Sequence, residues 1–485
     1  MTNLVYCLDG TTNDYNSAYP TNVVMMHKSI AETDAKGDPQ HVYYDAGVGT
    51  KLGQNLLGMC FGYGLMKNVL QAYEDICNHY STGDDIYIFG FSRGAYTARS
   101  LAGLVGYVGI LDEPSRQNID QAEYYYKQRL NKSEKHLSEF SAWRAKQCTQ
   151  HCANKIDQDF RASCAGKAQE VPEIIRIRYV GVWDTVKTIG LNERKYQWHD
   201  HDLSENVDSA RHAIALDERR NKFNITEWTN IPILNEIARL EGREGEPYQQ
   251  KYFPGNHGSI GGGGPIKGLS DDVFQWVREG AEEAGLCFQK SVRGELFQLT
   301  PNPLDWLDNN VGKPMGFFGK RVSKAANFGI GVFGFSDRPG PREITNVSHT
   351  AMVRYFAKPE LLPEGVQYRP GSLKLIGPLL KRKGSPFSEV DYRSLFESIS
   401  TDKLASDEEK YVRIDGKRYQ VHIVKLGETL SLIAKEYFGD PKRWPEIYSA
   451  NKAGISNPDQ IYVSQRILIP LDELLPIDVS TKAVA

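Results

Sequence analysis

The segment around Ser92 constrains the fold of this chain more than any other. Four apolar residues, 86–89, come directly before Gly90-Phe91-Ser92-Arg93-Gly94, and a run rich in small residues follows at 95–104. This order predicts a buried strand, a tight turn and a helix, the context in which G-x-S-x-G presents a serine hydroxyl as a nucleophile. The two glycines let strand and helix approach without Cβ clashes. A serine that only caps the helix after the turn is the alternative.

Three other apolar runs end in similar turns, at the carboxyl ends of predicted strands. They are residues 3–8 before Asp9-Gly10-Thr11, residues 42–44 before Asp45-Ala46-Gly47, and residues 174–182 before Trp183-Asp184-Thr185. A helical pattern covers residues 63–80, between the second run and the serine segment. Strands that alternate with helices predict an α/β fold with a doubly wound, mostly parallel sheet of the α/β-hydrolase kind.

The rest of the chain predicts four further parts. We expect a catalytic domain that spans residues 1–380. Within it, a polar stretch rich in Lys and Gln, at about 114–170, has helical spacing and predicts a helical insertion. The Phe-rich stretch 313–340 has no regular pattern. A charged, Ser-rich linker is predicted at 381–417, a compact unit at 418–472 and a tail at 473–485. Within that unit we expect strand 419–424, helices 429–438 and 443–451, and strand 465–469.

Composition narrows the function classes. The net charge of −3 provides no general field for nucleic acid, so we expect no nucleic-acid partner. The first residues lack a basic segment followed by a long apolar one, which predicts synthesis in the cytoplasm without a signal peptide. Cys148, Cys152 and Cys164 cluster near His151, but no second arm of ligands accompanies them. We therefore predict no metal site, and thiols that pack between helices or stay free, with a disulfide formed after export as the alternative. We also expect no cofactor.

A serine nucleophile needs a base and an acid that orients it, in the chain order Ser, Asp, His. Asp184 ends a predicted strand, as Ser92 does, and is the predicted acid, although a turn carboxylate is the alternative. His257 follows an apolar pair in a glycine-rich loop and is the first choice of base. His349 is the alternative base, and His212, predicted to lie on a helix and to be packed there, ranks third.

The turn after the first strand has two interpretations. Asp9-Gly10-Thr11 matches the end of D-x-D-G-T, the motif of phosphatases whose nucleophile is the first aspartate of the motif. That first position is Cys7 here, so the nucleophile of such a phosphatase would be missing. We therefore favour a loop at Asp9 and Gly10 whose backbone N–H completes an oxyanion hole beside Ser92, with the N–H of Arg93 as the other donor. A plain turn is the alternative.

Taken together, five segments resemble a known family. They are Leu8-Asp9-Gly10-Thr11-Thr12-Asn13, Tyr44-Asp45-Ala46-Gly47-Val48-Gly49-Thr50, Gly90-Phe91-Ser92-Arg93-Gly94-Ala95-Tyr96-Thr97-Ala98-Arg99, Gly181-Val182-Trp183-Asp184-Thr185-Val186 and Phe253-Pro254-Gly255-Asn256-His257. The set resembles the α/β-hydrolase family that contains phospholipase effectors of the bacterial type VI secretion system. The resemblance spans about residues 3–375 and implies a Ser-Asp-His triad that hydrolyses phospholipid acyl esters. It also implies delivery to the periplasm of a target cell, a secretion spike or adaptor, and an immunity protein.

One position departs from the family pattern. Members usually read H-S-D-V-G-G-G after Phe-Pro-Gly, whereas His257 is followed here by Gly258-Ser259-Ile260. Ser259 thus stands where the family has an acidic residue. Since an acid at that position would be missing, Asp184 remains the predicted acid.

The unit at 418–472 resembles a LysM module. The resemblance rests on the segment 419–434, Trp444, Ile447, Asn451 and the segment 455–461. It implies a βααβ fold that binds N-acetylglucosamine-containing glycans such as peptidoglycan, or docks a protein instead. The implied groove residues are Gly427, Glu428, Thr429, Leu430, Asn457, Pro458, Asp459 and Ile461.

The sequence thus predicts an A-type phospholipase that acts as an antibacterial effector, held at the cell wall by its LysM module. A soluble carboxylesterase on the same scaffold would hydrolyse short esters with no gain from vesicles. A peptidoglycan-binding protein without enzymatic activity would leave Ser92 unreactive towards a fluorophosphonate. These two remain the alternatives.

Overall fold

A computed structural model gives the architecture of the chain. It describes residues 2–10, 15–17, 19–47, 60–164, 171–186, 202–220, 223–289, 299–307, 336–380, 411–414, 417–424, 428–452, 455, 457–459, 461 and 466–471. Most of the Phe-rich stretch 313–340 and of the predicted linker lies outside these residues, as does Gly427.

A parallel sheet organises the larger part of the molecule. In the described residues its six strands are β1 (Asn3–Leu8), β2 (Gln40–Asp45), β3 (Asp85–Phe91), β4 (Ile177–Trp183), β5 (Ala210–Ala215) and β6 (Tyr248–Phe253). Their order is β2-β1-β3-β4-β5-β6, and each neighbouring pair is parallel. The carboxyl ends of all six therefore meet at one edge. The predicted α/β fold is confirmed.

Helices cover both faces of this sheet. They are α1 (Asn22–Ser29), α2 (Cys60–His79), α3 (Arg93–Val108), α4 (Arg116–Lys127), α5 (Glu134–Gln147), α6 (Lys155–Cys164), α7 (Ile231–Leu240), α8 (His257–Gly261), α9 (Gly268–Glu283), α10 (His349–Phe356) and α11 (Gly377–Leu380). Alternate side chains of β1 enter opposite cores: Leu4 and Tyr6 pack with α2 and α3, whereas Val5 packs with α1 and α9. A strand buried on both faces explains its continuous apolar sequence.

The predicted helical insertion corresponds to α4, α5 and α6. A buried ion cluster joins α5 to α6, since Asp157 lies 3.0 Å from both the Arg144 and the Arg161 guanidinium groups. Cys148 and Cys152 are buried thiols and Cys164 is an exposed one. The cysteines therefore pack or stay free among the described residues, as predicted.

Two predictions of local structure were wrong. His212 lies in β5, not on a helix, because the alanine-rich sequence of that strand pairs with β4 and β6 on either side and tertiary pairing outweighs the helix propensity of alanine. In the stretch predicted as linker, Tyr411–Ile414 form a strand, β7, because they pair antiparallel with residues 417–420.

The C-terminal unit has its own small core. Strand β8 (Lys417–Ile423) pairs antiparallel with β7 and with β9 (Arg466–Pro470). Helices α12 (Leu430–Phe438) and α13 (Trp444–Ala450) connect β8 to β9. The buried residues are Val424, Leu430, Ile433, Ala434, Ile447, Ile455, Ile467 and Ile469. This is the predicted βααβ arrangement with one added strand.

None of the helices in the described ranges combines the length and the apolar character needed to cross a bilayer.

Gly94 lets the end of β1 approach the turn after β3. A Cβ on Gly94 would lie 2.0 Å from the main-chain oxygen of Leu8. We expect Gly94→Ala to lower the free energy of unfolding by roughly 2 kcal/mol or more, because backbone must move to admit the methyl group. Urea unfolding measures this, with Gly264→Ala as the control, since a Cβ there would meet nothing within 4 Å. Equal losses in the two variants would contradict the close packing.

Candidate active site

Three predicted site residues meet at the carboxyl edge of the sheet. Ser92 follows β3, Asp184 follows β4, and His257 begins α8 after β6. Ser92 has φ 59° and Asp184 has φ 40°, and these are the non-glycine residues with positive φ in the described part of the chain. Such backbone costs on the order of 1–3 kcal/mol per residue and clusters at functional sites.

The turn that carries Ser92 is fixed by backbone contacts. The N–H of Ser92 donates to the main-chain oxygen of Trp183 at 3.0 Å, which ties the turn to the end of β4. A Cβ on Gly90 would lie 2.4 Å from the main-chain oxygen of Gly94, so both glycines of G-x-S-x-G are sterically required. Helix α3 begins at Arg93, so its N-terminus faces the serine.

Ser92, His257 and Asp184 form a continuous hydrogen-bonded chain. The Oγ of Ser92 lies 2.8 Å from Nε2 of His257, and Nδ1 of His257 lies 2.6 Å from Oδ2 of Asp184. Because a carboxylate accepts, Nδ1 carries the proton, and Nε2 is left with the lone pair that accepts from the serine hydroxyl. This arrangement can withdraw the serine proton.

Asp184 is fully buried and strongly paired. Both of its oxygens accept from the Arg338 guanidinium, at 2.7 and 3.0 Å, and Oδ1 also accepts from the N–H of Ala215 at 3.0 Å. Burial raises the pKa of Asp184, but the charge of Arg338 and the hydrogen bonds from His257 and Arg338 outweigh it and hold the pKa well below its ordinary value. Asp184 is therefore ionised.

Arg338 is a site residue that the sequence did not reveal. It lies 154 positions after Asp184, inside the Phe-rich stretch 313–340 that has no regular pattern, and its neighbours form no motif. The sequence offered only an indirect indication of such a residue, because a buried aspartate requires a compensating cation. That requirement does not say which of the 58 lysines and arginines supplies it.

The imidazole of His257 is held by two aromatic rings and through its backbone. The rings of Phe91 and Phe223 lie 4.6 and 4.8 Å from it, between centroids. The N–H of His257 donates to Glu218 at 3.3 Å, and the N–H of Gly255 donates to Asp217 at 2.8 Å. Two carboxylates after β5 thus fix the loop that carries the histidine.

The other two histidines have different roles in the structure. His212 is buried, and its Nε2 accepts from the N–H of Thr185 at 3.3 Å while Nδ1 lies 3.0 Å from the side-chain oxygen of Gln250. Burial lowers its pKa to about 3, so it is neutral and supports the turn that carries Asp184. His349 begins α10 and lines a separate cavity with Lys251. His257 therefore lies at the serine, and the alternative base does not.

The predicted oxyanion donors lie at the start of α3 and in the turn after β1. Arg93 begins α3, and the role of its N–H as an oxyanion donor stays a prediction. The N–H of Asp9 donates to the main-chain oxygen of Asp45 at 2.8 Å, however, and the N–H of Gly10 donates to the Asp9 carboxylate at 2.7 Å. That carboxylate also accepts from Thr21 and Tyr44, at 2.6 and 3.1 Å. In this conformation one N–H is bonded to the end of β2 and the other within the loop, which corrects the expectation that the loop presents one to Ser92.

Ser259 takes no part in the chain of hydrogen bonds at Ser92. Its N–H and Oγ both lie within hydrogen-bond distance of the Asn256 side-chain oxygen, at 3.0 and 3.2 Å, at the start of α8. The acid that contacts His257 is Asp184.

The predicted glycan residues of the C-terminal unit divide into two groups. Leu430 is buried in the small core, so it does not line a groove, and Thr429 caps α12 through the N–H of Leu432. Glu428 lies 2.8 Å from His422. Thr429 is nevertheless exposed, and Glu428 is half-buried. In the segment 457–461, Asn457 and Asp459 are exposed, Pro458 is half-buried between them, and Ile461 packs partly against the core.

Two family descriptions match this chain. Residues 2–279 match the family described as the Tle1-like phospholipase effector of the type VI secretion system (T6SS), catalytic domain. Residues 422–470 match the LysM domain. The first match contains Ser92, Asp184 and His257.

Two curated relatives each match part of this chain. An uncharacterized protein of Saccharomyces cerevisiae, YEL023C, is 26% identical over 255 residues, which is 49% of this chain and 34% of that protein. The potassium binding protein Kbp of Escherichia coli O6:H1 is 41% identical over 51 residues, 10% of this chain and 34% of that protein. The chain thus covers about a third of each relative.

Solved structures are similar at lower identity. A Tle1 effector bound to the VgrG spike of the type VI secretion system is 17% identical, with 55% of this chain and 52% of that chain covered and a TM-score of 0.30. An uncharacterized protein from Pseudomonas aeruginosa is 16% identical, with 96% and 75% covered and a TM-score of 0.35.

Replacing Arg338 tests the electrostatics of Asp184. We expect Arg338→Met to lower the free energy of unfolding at pH 7 by about 3 kcal/mol or more, because it leaves a buried carboxylate short of its cation. The ordinary aspartate pKa is about 3.9, so the folded-state stabilisation from ionised Asp184 is present above about pH 4 and is lost as the pH falls through the lower folded value. Without Arg338 the folded pKa rises, so acid unfolding moves to higher pH.

Urea unfolding at pH 7 and acid titration of tryptophan fluorescence measure the two effects. Arg342→Met removes an exposed arginine from the same segment and is the matched control. If both variants unfold like the wild type, the Asp184–Arg338 pair has no such role.

Proposed function

Because the chain belongs to the T6SS Tle1-like phospholipase effector family, we propose that it is a serine hydrolase that cleaves phospholipid acyl esters as an antibacterial effector. Ser92 is the nucleophile, His257 the general base and Asp184 the acid that orients it. No cofactor takes part. The observation that carries the proposal is the hydrogen-bonded chain from Ser92 Oγ through the imidazole to Asp184, on a strained turn at the carboxyl edge of the sheet.

Acylation begins at the serine hydroxyl. Oγ attacks the acyl carbonyl of the lipid while Nε2 of His257 takes the hydroxyl proton. The positive charge that develops on the imidazole is stabilised by ionised Asp184, 2.6 Å from Nδ1. The N–H groups at the start of α3, including that of Arg93, stabilise the oxyanion. The proton then passes from His257 to the departing alcohol, which leaves an acyl ester on Ser92.

Deacylation repeats these steps with water. His257 withdraws a proton from the water, hydroxide adds to the acyl carbonyl, and the protonated imidazole returns the proton to Ser92 Oγ as the fatty acid leaves. Throughout, Arg338 holds Asp184 ionised and in place, while Phe91 and Phe223 keep the imidazole in its plane.

The C-terminal unit supports a site of action at the cell wall. Its match to the LysM domain favours peptidoglycan as its ligand, through the exposed turn that holds Asn457, Pro458 and Asp459. Binding there would hold the hydrolase beside its membrane substrate in the target-cell periplasm. Membership of the effector family favours a secretion spike or adaptor and an immunity protein as partners.

Vesicle hydrolysis tests the nucleophile and the substrate together. We expect Ser92→Ala to release fatty acid from phosphatidylethanolamine or phosphatidylglycerol vesicles at least about 1000-fold more slowly than wild type, because the oxyanion donors and binding alone supply only residual catalysis. Ser259→Ala is the matched control and should stay within about 3-fold, since that hydroxyl bonds to Asn256.

Equal rates for wild type and Ser92→Ala would end the proposal. Turnover of short soluble esters with no gain from vesicles would instead identify a carboxylesterase on the same site.

Glycan binding is tested separately with the full chain. We expect Asn457→Ala combined with Asp459→Ala to reduce sedimentation with insoluble peptidoglycan several-fold, because these exposed polar groups are available for sugar hydroxyls. Lys442→Ala, an exposed change on the turn between α12 and α13, is the control. Unchanged sedimentation of the double variant would exclude Asn457 and Asp459 as glycan contacts, and failure of the wild type to sediment would assign the unit to another partner.

A further inference from the structure

A cluster of two histidines and an aspartate lies at the end of the sheet opposite Ser92. His41 is near the start of β2, whereas Asp75 and His79 lie one turn apart in the last two turns of α2. We propose that this cluster, His41–Asp75–His79, binds a transition-metal cation of the Zn²⁺ class and ties the edge strand β2 to helix α2. The inference does not depend on the hydrolase function.

The side chains already converge. Nε2 of His41 lies 3.0 Å from Oδ2 of Asp75, and Nδ1 of His79 lies 3.3 Å from Oδ1. One ligand atom from each residue lies within 4.8 Å of the other two. Ligands around one zinc ion, with bonds of about 2.0–2.2 Å, are up to about 4 Å apart, so side-chain adjustments of less than about 1 Å suffice.

The surrounding hydrogen bonds are those that orient metal ligands. The main-chain oxygen of Asp75 can only accept, so Nδ1 of His79, 2.9 Å away, carries the proton, and Nε2 of the same ring is the atom that keeps a lone pair for a metal. Nε2 of His41 lies 3.0 Å from the Asp75 carboxylate and gives up its proton when a metal replaces this hydrogen bond. The hydroxyl of Tyr6 donates to Oδ2 of Asp75 at 2.9 Å and orients the carboxylate. In metal sites, ligating histidines typically donate to a carbonyl oxygen, and ligating carboxylates typically accept a further hydrogen bond.

The donor set and exposure select the kind of ion. Two imidazole nitrogens and one carboxylate oxygen suit Zn²⁺, Co²⁺ or Ni²⁺, whereas Ca²⁺ and Mg²⁺ require oxygen ligands. The side chains of His79 and His41 are 46% and 33% exposed, so water can complete the coordination. The imidazoles stack with 4.1 Å between centroids, which puts both beside one carboxylate. A hydrogen-bonded cluster that binds no ion is the competing account.

Calorimetry with Zn²⁺ distinguishes these accounts. The metal-stripped full chain should bind one more equivalent of Zn²⁺ than His79→Ala, and Zn²⁺ should raise the thermal unfolding midpoint of the wild type by roughly 3 °C but not that of His79→Ala. His349→Ala, which removes an exposed histidine elsewhere, should behave like wild type. Tyr6→Phe should weaken binding at the site about 10-fold, because it removes the outer donor.

His79 lies at the exposed end of α2, so its replacement leaves the core intact, and circular dichroism checks the fold. His41→Ala, from the strand side, should lose the same equivalent of Zn²⁺. The same Zn²⁺ stoichiometry and the same thermal shift in wild type, His79→Ala and His41→Ala would overturn the proposal.

Discussion

The buried carboxylate of Asp184 is the constraint on which the rest of the active site depends. An isolated charge with no exposed surface would be strongly destabilising, and three groups compensate it with four hydrogen bonds: two from the guanidinium of Arg338, one from the imidazole of His257 and one from the N–H of Ala215. The same contacts set the tautomer of the histidine and hence the direction of its lone pair. Stability and chemical competence therefore rest on one ion pair.

The parallel sheet explains why these groups meet. Every strand ends at the same edge, so residues that follow β3, β4 and β6 are neighbours despite wide separation in sequence. Backbone strain marks the two residues that leave their strands most abruptly, Ser92 and Asp184. Below that edge, strands packed on both faces supply the rigidity that holds the strained turns.

The site residues that could be predicted from sequence are those marked by patterns of neighbouring residues. Ser92 was recognisable because strand, turn and helix around it are local, and Asp184 and His257 because strand ends and glycine loops are local too. Their catalytic roles stay predictions.

Three features of the site could not be predicted from local sequence. His212 was misplaced because the alanines around it favour a helix in isolation, whereas the sheet supplies pairing on both sides. Gly10 was expected to donate to the oxyanion, but the competing acceptor on Asp9 is a matter of side-chain rotamer. Arg338 could not be located because an ion pair across 154 positions leaves no periodicity.

That long separation has a consequence for the order in which the site comes into being. A chain made from its N-terminus presents Ser92, Asp184 and His257 to the folding sheet before Arg338 exists. Until then the aspartate lacks its main counter-charge. Burial of the carboxylate is therefore unfavourable, and water stays in contact with it. On the ribosome, the electrostatic completion of this site is thus a late event, delayed until synthesis has passed Arg338, 81 residues after His257.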